Sequence, residues 1–103
     1  MPPRNKRYTI LGRRWRLEYC RLRHRRQDRQ RWADCDLPPE ATGKRIRIDE
    51  RVLGRPKLWL WTLIHEFLHA ADCTRDEEWV DVMARDLARL LIDQGWRPPE
   101  KEV

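Results

Sequence analysis

TLIHEFLHAAD, Thr62 to Asp72, sets two histidines four residues apart, with a glutamate directly after the first. Upstream, Pro56 sits where the first turn of a helix tolerates proline, and from Lys57 to about Asp72 the chain carries no further breaker, so this stretch predicts a helix. At about 100° per residue, Leu60, Leu63, Ile64, Phe67 and Ala71 fall on one side of it, while Leu58, Trp61, Thr62, His65, His69 and Asp72 fall on the other. The first set predicts a core face. The second leaves a face for chemistry.

On a helix, positions i and i+4 share a face about one turn apart, so the imidazoles of His65 and His69 can converge on one ion. Zinc accepts imidazole nitrogens in tetrahedral geometry and, when catalytic, keeps one position for water. Glu66 projects beside the ligand face, where it can take the proton of that water as a general base instead of binding the metal. With three histidines in 103 residues, an H-E-x-x-H pattern arises by chance on the order of one per cent of the time, which favours a metal-site reading. Trp61 and Thr62, one turn before His65, would line the cleft, with core packing as the other reading of Trp61.

Two histidines do not close a zinc site. His24, the one remaining histidine, lies in an Arg-rich loop and reads as solvated. Asp72 continues the histidine face at i+7, better placed to hold a second ring nitrogen than to complete a tetrahedron. Candidates therefore come from a second helix. Thr74-Arg75-Asp76-Glu77 fits a capping box with Thr74 as N-cap, and Val80, Met83, Ala84, Leu87, Leu90 and Leu91 then recur as an amphipathic stripe that ends at Gly95, with Pro98 and Pro99 beyond. If that stripe faces the first helix, Glu78 points nearly opposite, Glu77 lies roughly 70–85° to one flank and Asp81 roughly 110–125° on the same flank. Glu77 is the expected third ligand, although the same carboxylate also suits the capping box. Asp81 is the first substitute.

The N-terminal half predicts strands. In YTILGRRWRLEYCRLR, Tyr8 to Arg23, apolar Trp15, Leu17 and Tyr19 alternate with Arg14, Arg16 and Glu18, and Gly12 marks a turn or bulge before them. Lys44 to Asp49, KRIRID, alternates around Ile46 and Ile48. Residues 24–44, with Pro38, Pro39 and Gly43, read as a long loop with room for a short hairpin. The length suits one domain over 1–103: a basic strand and loop region (1–35), a strand with two helices (44–96) and a tail (97–103).

Charged residues are 39% of the chain and hydrophobic ones 40%, six of them tryptophan, which argues for a globular fold over a disordered chain. Residues 1–35 hold 12 Lys/Arg against 3 Asp/Glu, a balance of +9, whereas residues 72–103 hold 5 against 9, or −4. Acidic partners would meet the N-terminal third. Cys20, Cys35 and Cys73 form no CxxC pair and read as reduced, mostly buried thiols. Leu58 to Ala71 is too short and too interrupted to span a bilayer, and MPPRNKRYTI lacks the apolar region of a signal peptide, so a cytoplasmic protein with no membrane association is expected.

HEFLH followed almost at once by a helix bearing a glutamate resembles the zincin metallopeptidases of the gluzincin kind. The likeness covers about Lys44 to Trp96 and is nearest to small, single-domain, phage- or prophage-type metallopeptidases similar to the ImmA/IrrE and SprT-like groups. It implies an α+β domain in which a short antiparallel or mixed sheet packs on the HExxH helix, with an edge strand able to pair with an extended peptide. It also implies Zn2+ on His65 and His69, a carboxylate of the following helix as third ligand (here Glu77), and Glu66 as general base in peptide-bond hydrolysis. The chain departs from the ImmA/IrrE pattern in its much shorter connection from His69 to the glutamate and in having no helix before the strands.

A rival reading is a basic nucleic-acid-associated regulatory or binding protein with a structural or vestigial metal site. Arg13, Arg14, Arg16, Arg21, Arg23, Arg25, Arg26, Arg29 and Arg31, interleaved with Trp15, Tyr19 and Trp32, could contact phosphates and stack on bases. Alternate arginines also suit the solvated face of a strand. A third option is hydrolysis of a non-peptide amide, since HExxH specifies the water and base but not the acyl group.

Overall fold

A computed structural model describes residues 5–22, 32–38 and 41–98. Lys6–Ile10 (β1) and Arg13–Cys20 (β2) pair as an antiparallel hairpin turned by Leu11 and Gly12. Both turn residues hold positive φ, 47° and 77°, the two left-handed conformations that match a tight turn to the twist of its strands. The turn expected at Gly12, before the strand, joins that strand to β1. Within β2 the alternation holds: Trp15 is buried, Leu17 and Tyr19 pack beside it, and Arg14 and Arg16 are exposed.

Arg45–Asp49 (β4) runs parallel to β2, with Leu17 opposite Ile46 and Tyr19 opposite Ile48. Ala33–Cys35 (β3) adds antiparallel to the other side of β4, giving a four-stranded mixed sheet in the order β1-β2-β4-β3. β3 is too short for periodicity to reveal. What holds it is Arg47 of β4, whose guanidinium donates to Asp34 at 2.7 Å and to Asp36 at 3.0 Å. The Asp36 carboxylate also accepts the Arg45 backbone N–H at 3.2 Å. A Cβ on Gly43 would stand 2.7 Å from Asp36 Oδ2, so any larger residue would push that carboxylate from the Arg45 N–H it accepts.

After a 3₁₀ turn at Glu50–Gly54, Pro56–Ala71 (α1) packs on the sheet face formed by Ile10, Trp15, Ile46 and Ile48, bringing Trp59 into the same core. The Trp59 indole donates to the Tyr19 hydroxyl at 3.1 Å, tying helix to sheet. Glu77–Asp93 (α2) covers the far side of α1 through Leu60, Ile64, Ala84 and Ala88. The chain is thus a small α+β domain of a mixed four-stranded sheet and two helices, with α1 as its middle layer.

That layering corrects the expectation of one core face and one open face. Both flanks of α1 are covered, and Phe67, expected in the core, is 50% exposed because it faces neither sheet nor α2. On α2 the buried line is Val80, Ala84 and Ala88, with Leu91 partly buried. Met83, Leu87 and Leu90, expected beside it, are exposed. Small residues at the crossing let the helix axes approach, and the bulky ones are displaced to the flank.

No two cysteines pair: Cys20 and Cys35 are partly buried and Cys73, against expectation, is exposed. Among the described residues no helix is long and apolar enough to cross a membrane. His24 lies outside the described residues, as do Arg23, Arg25, Arg26, Arg29, Arg31 and the end of the tail.

Candidate metal site

α1 carries His65, Glu66 and His69 into the seam between α1 and the first turns of α2. The two histidine side chains are only 12% and 11% exposed, so they occupy a covered groove and not the open face that the helical wheel suggested. Their rings meet edge to face with centroids 4.7 Å apart. Each turns its Nε2 towards α2.

Glu77 reaches both. Its Oε1 lies 2.9 Å from His65 Nε2 and its Oε2 3.1 Å from His69 Nε2. The reach follows from where α2 begins. Asp76, not Thr74, is the N-cap, its carboxylate accepting the Trp79 N–H at 2.7 Å, which makes Glu77 the first helical residue instead of the reciprocal partner in a capping box. The Thr74 hydroxyl is engaged elsewhere, donating to Asp72 at 2.6 Å. Relieved of capping, Glu77 can bend over the histidines.

Asp81, one turn further along α2, accepts from His65 Nε2 at 2.8 Å, but no contact joins it to His69 among the described residues. Asp72 does not hold a histidine ring: its carboxylate takes the Thr74 N–H and hydroxyl and the Arg75 guanidinium at the end of α1. Glu78 is exposed and apart from the cluster. Of the candidate ligands, one donor atom each from His65, His69 and Glu77 all lie within 4.8 Å of one another. A zinc ion with arms of about 2.0–2.1 Å places neighbouring ligand atoms about 3.3 Å apart, so donors spread over as much as 4.8 Å would draw together around it. The donor set, two imidazoles and a carboxylate, fits zinc over harder ions.

Glu66 is buried, its side chain 8% exposed, with Oε1 3.3 Å from His65 Nδ1. This contact orients the ring so that Nε2 faces Glu77. Burial opposes charge on the His65 imidazole, but Glu66, Asp81 and Glu77 together outweigh it and hold the pKa up at about 8. Without metal, the imidazolium donates from both nitrogens. A metal ion must displace one of those protons.

A cleft of about 200 Å3 opens beside the cluster, lined by Trp61, Thr62, His65, Glu66, Glu77 and Asp81 from the helices and by Trp32 and Ala33 at the sheet edge. Trp61 and Thr62 take the cleft positions expected of them. Trp61 lies 5.0 Å from the His65 ring, and Thr62, buried, donates its hydroxyl to the Leu58 carbonyl at 2.6 Å. Ala33 carries no sequence signal for a site, and Trp32 only one for stacking on bases; the pairing of β3 with β4 brings both to this cleft. Cys35 of β3 is close enough to feel the charge: burial first, and Glu66 next, push its thiol up to about 12. The thiol packs against the sheet core and stays protonated. Arg51 and Arg55 hold the Trp32 ring, their guanidinium carbons 5.2 and 5.8 Å from its centroid.

Compared with known protein families, curated proteins and solved structures, the chain matches none.

Proposed function

We propose that the chain is a zinc-dependent metallopeptidase of minimal, zincin-like design. The observation that carries this reading is the convergence of His65, His69 and Glu77 donor atoms beside the buried Glu66 carboxylate, at the mouth of a cleft bounded by a sheet edge. When bound, zinc would contribute Lewis acidity, activating a water and polarising a carbonyl. The remaining work falls to side chains. Glu66 would accept the proton of the attacking water and pass it to the leaving amine, a role suited to a carboxylate held in a dry wall of the cleft. Glu66 would orient His65 through Nδ1, while Asp81, which meets the Nε2 that the metal would take, would give up that contact.

β3 is the outer strand of the sheet, its far edge unpaired among the described residues. An extended peptide could add there by main-chain hydrogen bonds and bring its scissile bond past Ala33 into the cleft. Trp61 and Trp32 would flank it. The phage-type resemblance of HEFLH and the following helix is consistent with this reading.

Metal stoichiometry and proteolysis, measured together, test it. Wild-type protein should hold one zinc per chain, and His69→Ala should lose it. Glu77→Ala should weaken zinc by about 10–100-fold or more, and Asp81→Ala, whose carboxylate meets only the Nε2 that the metal would take, by less. Glu66→Gln should retain zinc while peptide cleavage falls by about 100-fold or more. Unchanged zinc content in His69→Ala, or full cleavage by Glu66→Gln, would overturn the assignment.

A further inference from the structure

The sheet has a second face, and its register is unusual. Residues directly opposite on neighbouring strands share a face. Arg7 of β1 stands opposite Arg16 of β2, and Arg16 stands opposite Arg45 of β4. Three arginines therefore form one row across three strands, about 10 Å long at about 4.8 Å per strand. Arg14 and Lys44 border the same depression, of about 340 Å3, whose floor is completed by Thr42 and Gly43. All five cations are exposed.

Nothing in the fold requires this arrangement, and two features oppose it. Like charges set directly opposite destabilise a sheet. Lys44 also holds φ +53, a left-handed backbone unfavourable for a residue with a Cβ. Compensation is thin: Glu18 meets Arg16 at 3.1 Å and Arg45 at 3.9 Å, and among the described residues Arg14 donates only to the Thr9 hydroxyl, at 3.2 Å. Neither Arg7 nor Lys44 has an acidic partner among the described residues. The other face of the sheet packs on α1, so the row lies across the sheet from His65 and His69.

From this we infer that the groove binds the phosphate backbone of a nucleic-acid duplex, independently of the metal site. Arginine forks match phosphate oxygens two at a time, and four of the five cations are arginine. A stacked single strand needs exposed rings, and Trp15 and Tyr19 point to the opposite, buried side, Tyr19 bonded to Trp59. Protein partners ordinarily bury an apolar centre, and this groove has none.

The test is fluorescence anisotropy of the full chain with a labelled mixed-sequence DNA duplex over a range of salt concentrations. Affinity should fall with salt at a log–log slope of about −4, as for about four neutralised phosphates. Replacing both Arg7 and Lys44 with Ala should reduce that slope by about 2. Glu18→Gln, which removes the carboxylate that meets Arg16 and Arg45, should tighten binding, a gain that misfolding cannot imitate. The inference is overturned by no binding at low salt or by an unchanged slope in the Arg7/Lys44 variant. It is equally overturned if the matching single strand binds more tightly than the duplex, or if a polyglutamate peptide competes as well as the duplex.

Discussion

Asp49 is fully buried at the end of β4 and accepts three hydrogen bonds from Arg51, through its backbone N–H (2.9 Å), Nε (2.9 Å) and Nη2 (2.6 Å), and one from the Leu22 N–H at 3.3 Å. The Arg51 guanidinium, against the opposing effect of burial, holds the carboxyl down from its ordinary 3.8 to about 2. A pKa lowered by folding means that the native state favours the ionised form. This contribution is therefore complete above about pH 4 and lost as pH falls towards 2. Asp49→Asn should lower stability at neutral pH, because the Arg51 guanidinium and the Leu22 N–H lose the ionised carboxylate that accepts from them. In urea unfolding at several pH values, the gap between wild type and variant should narrow below pH 4. A gap that stays constant down to pH 2 would refute the assignment.

At the level of elements, the start of α2 determines whether the site can assemble. Asp76 caps the helix and so sets Glu77 in its first turn, above both histidines. Asp76→Ala should cost about 1 kcal/mol of stability and should also weaken zinc, because the frayed turn carries the third ligand. Thr74→Ala removes only an exposed bond to Asp72 and should leave zinc affinity unchanged. Thermal melts with zinc titrations on both variants check this; equal loss of zinc affinity would return Thr74 to the capping role. The two-residue difference from the capping box read in the sequence has a plain cause. Thr, Asp and Asn all cap helices, and the choice between Thr74 and Asp76 was made by Asp72 at the end of α1, which claims the Thr74 hydroxyl.

Across the whole molecule, the site bridges the two layers that meet on α1. α2 is held to α1 by Leu60 and Ile64 against Ala84 and Ala88, a narrow apolar seam with exposed Met83 and Leu87 at its side. A metal gripping both helices should therefore act as a staple. Ligand at about 100 times its Kd adds about 2.7 kcal/mol to the folded state, which for a domain of this size raises Tm by roughly 10–20 °C. Calorimetry after chelation and after zinc loading should show that rise in wild type and none in His69→Ala. An equal rise in both would mean that zinc binds elsewhere.

Spacing along one element was enough to read the local parts: the α1 helix and its His65–Glu66–His69 face, the alternation of β2 and β4, and Glu77 as the carboxylate to watch. These rest on periodicities of 3.6 and 2 residues, which are properties of the chain itself. Tertiary structure decided what depends on neighbours. It made α1 a middle layer with both flanks covered and exposed Phe67, Met83, Leu87 and Leu90. It added β3 through Arg47 and brought Trp32 and Ala33 to the cleft. It also moved Lys44 and Arg45, outside the basic first third, into a row with Arg7 and Arg16. Helical and strand periods specify which residues share a side, but burial and charge clustering depend on which other surface arrives there, and that is set by packing between segments distant in sequence.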